Sequence, residues 1–177
     1  MKKLIIFILP LLFLCGCERN SKVYSYDMLY MDTYIEVKLY DVSKGDSDKL
    51  FKEVDNIYSA YAKLADRYTK YDDVVNVYYL NNTLKENKKI EIDNKLSELI
   101  KFGIDSYDKT DGYVDIAIGN LVDVWKEYRD KGTGVPTLYE LKNCGSNDIK
   151  DITLNNNIFF KTSDVKIDLG AIAKGYV

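Results

Sequence analysis

The chain has 177 residues, a formal net charge of −3 at pH 7 and no histidine. With a leader set aside, that length supports one domain with a real core and leaves little room for a second. The acidic balance offers no basic stripe to follow a phosphate backbone, so nucleic acid is excluded as an expected partner. The lack of histidine removes the commonest general base and the commonest transition-metal ligand, so any metal is expected to be a hard cation on oxygen ligands.

Lys2 and Lys3 precede an apolar run from Leu4 to Leu14, the charged and hydrophobic regions of an export signal. The run is too short for a bilayer, which takes about twenty apolar residues, and Pro10 interrupts it. It closes on Leu14-Cys15-Gly16-Cys17, which resembles a lipobox, where a signal peptidase cuts before a diacylated cysteine. Residues 1–16 are therefore expected to be a signal peptide, Cys17 the lipidated N-terminus, and 17–22 a polar tether. Ordinary secretion, with Cys17 a spectator thiol, is the alternative. The first reading places the protein outside the cytoplasm, held on the cell membrane by acyl chains that each bury many CH₂ groups. Cys15 leaves with the signal and Cys17 is acylated, so Cys144 has no intramolecular partner and no disulfide framework is expected.

Val23 to Tyr40 reads as two strands about Met31-Asp32-Thr33, because Ile35, Val37 and Leu39 alternate with Tyr34, Glu36, Lys38 and Tyr40. Asp46 or Ser47 is positioned to cap a helix reaching about Arg67, with Leu50, Val54, Ile57, Tyr58, Tyr61, Leu64 and Ala65 on one face. A polar stretch holding Asn81-Asn82 precedes a short strand at Lys89–Ile92. A second amphipathic helix follows from about Asn94, with Leu96, Leu99, Ile100 and Ile104 inward, ending by Gly112. Tyr113 to Ile118 reads as extended, and Leu121, Val122 and Trp125 open a helical face that runs to about Arg129. Gly132-Thr133-Gly134-Val135-Pro136 breaks it. A short helix from Thr137 to Asn143 and a hairpin, Asp151–Leu154 with Ile158–Lys161, lead to a strand at Val165–Asp168. The hairpin-connected order predicts an α+β fold, a mixed sheet with amphipathic helices.

The most informative segment is Asp168-Leu169-Gly170-Ala171-Ile172-Ala173-Lys174-Gly175-Tyr176. A carboxylate closes a strand, Gly170 permits a close turn, and a helix is expected to begin on small residues. Such a corner can present backbone N–H groups to an anion, with Lys174 one turn in. A purely structural strand-turn-helix corner fits the same residues.

This string resembles the signature of the bacterial FAD:protein FMN transferases, the ApbE-type lipoproteins. Met31-Asp32-Thr33 is similar to the family's Met-Gly-Thr, and Thr69-Lys70-Tyr71 with Asn81 to its Ser-x-Tyr…Asn segment. Gly112-Tyr113-Val114-Asp115-Ile116 with Leu121 and Trp125 is similar to its Gly-x-x-Asp-Ile…Leu…Trp segment. The resemblance implies a magnesium-dependent enzyme that transfers the FMN half of FAD, through a phosphoester, to a Thr or Ser of an exported acceptor protein, releasing AMP. It implies FAD contacts for Met31, Tyr71, Tyr113, Val114, Asp115, Asp168 and Lys174, and a magnesium contact for the main-chain carbonyl of Ala171. Asp32 departs from the family's glycine, which questions close backbone approach at that turn. Asp73-Val74-Val75-Asn76 is a poor match to the family's Ser-Glu-Leu-Ser. Because the family continues well past the signature, residues 23–177 are expected to be the N-terminal part of a flavin transferase domain, inactive alone, with the catalytic groups beyond Val177. The alternative is a non-catalytic flavin-binding or partner-binding membrane lipoprotein. The reading frame downstream of codon 177 separates the two.

Overall fold

The fold comes from a computed structural model, which describes residues 22–177. The expected signal peptide, Cys17 and all but the last residue of the tether lie outside the described residues.

Strands β1 (Val23–Tyr30) and β2 (Thr33–Tyr40) form an antiparallel ribbon in which Tyr30 pairs with Thr33. The two residues between them, Met31 and Asp32, both have positive φ, 52° and 53°. That is the turn shape whose twist matches a tight hairpin, and aspartate is among the few residues that adopt it without glycine. The departure Asp32 thus keeps a glycine-like backbone. Along β2 the expected alternation holds, with Ile35, Val37 and Leu39 half-buried and their neighbours exposed. The ribbon packs on α1 (Lys44–Ala65), where Tyr26 stacks on Phe51 and Tyr30 on Tyr58.

The cap of α1 is Ser43 rather than Asp46 or Ser47: its hydroxyl oxygen accepts the Asp46 N–H at 3.1 Å. Ser47 lies inside the first turn, buried, donating to the Lys44 carbonyl. Leu50 and Ile57 are exposed instead of inward, because the ribbon covers a face centred on Phe51. The helix stops at Ala65, two residues before the expected end, where the Asp66 carboxylate accepts the N–H groups of Tyr68 and Thr69 and turns the chain away.

A short helix, α2 (Val77–Asn82), occupies what the sequence presents as a polar stretch, and β3 (Lys89–Glu91) follows. Helix α3 (Asn94–Lys109), capped by Asp93, buries Leu96, Leu99 and Ile100 completely, as its spacing predicts. Helix α4 (Gly119–Lys131) ends on Gly132 in the left-handed region at φ 67°. Trp125 on α4 is half exposed rather than inward. Helix α5 (Leu138–Lys142) begins with a capping box of Thr137 and Glu140. The Thr137 N–H and hydroxyl, with the Tyr128 hydroxyl, hold the Glu140 carboxyl down at about 2.

After a 3₁₀ turn at Ile149–Asp151, β4 (Ile152–Asn155) and β5 (Ile158–Lys161) form the expected hairpin, and β5 is central in an antiparallel sheet ordered β3-β5-β4. Val165–Asp168 and Tyr113–Ile118, both predicted as extended, form no regular strands. They run beside each other, joined by backbone bonds from Gly119 N–H to the Lys166 carbonyl at 2.9 Å and from Asp168 N–H to the Ile116 carbonyl at 2.8 Å. The last helix, α6 (Ala173–Tyr176), starts three residues after Gly170 and docks through Tyr176, whose ring meets Tyr61 and Phe102. Leu80, Leu96, Leu99, Ile100, Ile116, Phe159, Ile167 and Leu169 share one core, each worth about 1.5–3 kcal/mol of burial. The arrangement is α+β, as the order of elements predicts.

Candidate functional site

The loop after α1 is fixed from behind by Asn76, which is fully buried. Its amide donates to the carbonyls of Lys63, Asp66 and Thr69 at 3.3, 3.0 and 2.9 Å, and its oxygen accepts the Tyr79 N–H that caps α2. One side chain thereby presents the segment Asp66–Tyr71 on the surface. Tyr71 donates its hydroxyl to Asp66 at 3.2 Å, and burial, then the Asp66 charge, raises its phenol above the ordinary range. Lys63 stands 5.1 Å from the Tyr71 ring centre and pairs with Asp73 at 2.8 Å.

The opposite wall is the corner at Asp168. Asn81 on α2 grips both sides of Ile167, donating to its carbonyl at 2.8 Å and accepting its N–H at 2.8 Å. Behind this segment the ammonium of Lys161 donates to the Leu80 carbonyl at 2.9 Å, and burial pushes its pKa below the usual lysine range. Asp168 Oδ1 accepts the Gly170 N–H at 2.8 Å, and Oδ2 accepts Arg67 Nη1 at 2.7 Å. Arg67, its side chain 6% exposed, also donates Nη2 to the Gly119 carbonyl at 2.9 Å and to Asp123 at 2.7 Å. Lys166 pairs with the other Asp123 oxygen at 2.7 Å. Of the two readings of this corner, the structural one accounts for the Gly170 N–H, which is taken by Asp168, and the helix starts later than expected, at Ala173.

Between these walls and the β1–β2 turn lies a cleft of about 820 Å³. Four of the seven FAD contacts that the resemblance implies line it: Met31, Tyr71, Asp168 and Lys174. Tyr113, Val114, Asp115 and Ala171 do not. Tyr113 is 94% exposed, Val114 packs against the core, and Ala171 sits on the surface beside the lining residue Gly170. Asp115 accepts the Ala117 N–H at 2.7 Å; burial raises its carboxyl, that bond opposes the shift, and the Asp148 charge adds to it. Among the described residues no group of three or more His, Cys, Asp or Glu is placed to hold a metal.

Sequence reasoning missed Arg67, Lys63 and Asp66 as cleft residues. Arg67 left one faint signal: the chain has only three arginines, Arg19, Arg67 and Arg129, against many lysines. An arginine retained where lysine dominates suggests a need for the planar fork.

The fold has a counterpart among known proteins. The chain belongs to the ApbE family, whose family model matches residues 31–177. An FAD:protein FMN transferase from Buchnera aphidicola subsp. Schizaphis graminum (strain Sg) is 28% identical over 102 residues, which is 54% of this chain and 30% of that protein. The fold matches the crystal structure of the ApbE protein of Thermotoga maritima MSB8 with a TM-score of 0.75 at 21% identity. It also matches the flavin transferase ApbE of Vibrio cholerae, with a TM-score of 0.72 at 22% identity. The apo flavinyl transferase ApbE of Pseudomonas stutzeri gives a TM-score of 0.72 at 20% identity. Each structural match covers 88% of this chain and 50% of the other, so the chain spans half the length of these structures.

Proposed function

We propose that the chain supplies the flavin-nucleotide cleft of an FAD:protein FMN transferase, moving FMN from FAD onto a Thr or Ser of an exported acceptor protein. The observation that carries this reading is that Met31, Tyr71, Asp168 and Lys174, from three separate segments, meet on one cleft. Its volume lies in the range of small-molecule sites, with the Tyr71 ring on one wall and the cations Lys63 and Lys174 among its lining. FAD needs both chemistries, a surface for its rings and cations for its diphosphate. Displacement at phosphorus is governed by how the diphosphate is held and its charge neutralised, which is the work these residues suit. Tyr113, Val114 and Asp115, FAD contacts by resemblance, stand outside this lining. For the magnesium the resemblance implies, the described residues offer the Ala171 carbonyl and no convergent carboxylate group, so they do not form an ion cage and no step is derived through the metal.

Titration of the chain with FAD, followed by flavin fluorescence, tests the reading. Saturable binding is expected, and Lys174→Ala should weaken it about tenfold, the loss of one charge-assisted contact, while Lys88→Ala should not. Fluorescence that never changes would reject the cleft as a flavin site.

Placement on the outer side of the membrane, anchored through Cys17, is part of the same proposal and rests on Leu14-Cys15-Gly16-Cys17. Cells fed a labelled fatty acid should incorporate it into the unaltered protein and not into Cys17→Ser. Equal labelling of both would move the anchor elsewhere.

A further inference from the structure

We propose that Arg67 is a positioning residue for Asp168, holding its carboxylate in one orientation at the cleft and tying that orientation to the start of α4. The inference rests on the reading of the cleft as a flavin site. Four charged side chains of alternating sign are linked in series, Asp168, Arg67, Asp123 and Lys166, each consecutive pair in contact at 2.7 Å. Arg67 is the most buried member, 6% exposed against 16% for Asp168 and 38% for Asp123. Both side chains line the cleft, and the cation is the more deeply buried of the two.

The geometry uses features that only arginine has. Nη1 serves Asp168 while Nη2 serves both Asp123 and the Gly119 carbonyl, so the planar fork spans partners on two different segments. A lysine, with a single charged nitrogen on a flexible stem, keeps the charge and loses the span. With one oxygen on Arg67 and the other on the Gly170 N–H, the carboxylate is restrained at both ends and its charge is locally balanced. It keeps acceptor capacity on each oxygen for an N–H or O–H donor of a ligand. Local balance also lets an anionic diphosphate lie in the same cleft, near Lys174, without facing an uncompensated carboxylate.

The test uses Arg67→Lys, Arg67→Gln and Asp123→Asn in the full chain, with two readouts. The first is the amide signal of Gly170 in ¹H–¹⁵N spectra, which reports the Asp168 carboxylate directly through their hydrogen bond. The second is titration with FAD. Both Arg67 variants should shift the Gly170 amide and speed its exchange, while core amides such as that of Leu99 stay protected. Both should weaken FAD binding about tenfold, as the loss of a charged hydrogen bond implies. Asp123→Asn should move the Gly170 signal in the same direction by less. Arg67→Lys retains the positive charge, so it carries the test if Arg67→Gln does not fold. A Gly170 amide unmoved in both Arg67 variants overturns the proposal, as does unchanged FAD affinity in a chain that binds FAD. If the unaltered chain binds no FAD while the Gly170 amide moves, the flavin reading fails and the positioning role stands.

Discussion

Replacing Asn81 with leucine is expected to cost about 2–4 kcal/mol of stability and to abolish FAD binding, because it strands two buried backbone groups at once. Asn81 is 8% exposed and meets both the carbonyl and the N–H of Ile167. These two bonds stand in for a strand partner on that side of residues 165–169, which form no regular strand. Leucine has a similar size, so the packing loss is small and the cost is chiefly that of unpaired polar groups. The Ile167 segment carries Asp168, so release of its backbone should disorder the cleft wall before the whole chain unfolds. Urea unfolding measures the first effect and FAD titration the second. A loss below about 1 kcal/mol would mean that the segment finds other partners when Asn81 is gone.

Gly119→Ala should be equally severe, about 3 kcal/mol at the upper end of overpacking costs. A Cβ at Gly119 would sit 2.6 Å from the Lys166 carbonyl oxygen and 2.7 Å from its carbon. Backbone atoms of a paired segment cannot swing aside as the end of a side chain can. The clash would break the Gly119 N–H bond to that same carbonyl and displace the Gly119 carbonyl from Arg67. Gly45→Ala in α1 is the control, since nothing lies within 4 Å of its added Cβ, and it should be neutral or stabilising. Thermal melts of the two variants separate steric cost from helix propensity. Similar melting points for both would show that residues 113–119 and 165–168 do not depend on their close approach.

The regular parts of the fold were legible because each carries its own period. Ile35, Val37 and Leu39 mark β2, and Leu96, Leu99 and Ile100 mark α3, without help from distant residues. Helix α2 escaped notice because six residues are too few to display a helical period and its cap, Asn76, also serves carbonyls before it in the chain. Val165–Asp168 alternates like a strand, yet its neighbour at residues 113–118 is irregular and a side chain on α2 takes the place of a ladder. The family resemblance located Met31, Tyr71, Asp168 and Lys174, which the fold gathers on one cleft. It gave no hint of Arg67, whose partners Asp123 and Asp168 lie 56 and 101 residues further along. No local pattern encodes such a contact.

That separation also governs how the cleft comes into being. The ribbon of β1 and β2 closes across two residues, whereas the Arg67–Asp168 pair closes a loop of about 100. By chain entropy the larger closure costs about 2 kcal/mol more than a ten-residue loop would. The cleft is thus a product of topology rather than of any one segment: local elements can assemble early, and the two walls meet only when nearly the whole chain between them has taken its place. Competence to hold a ligand there depends on that long-range closure, so loosening of the segments that carry Arg67 or Asp168 is expected to be felt at the site.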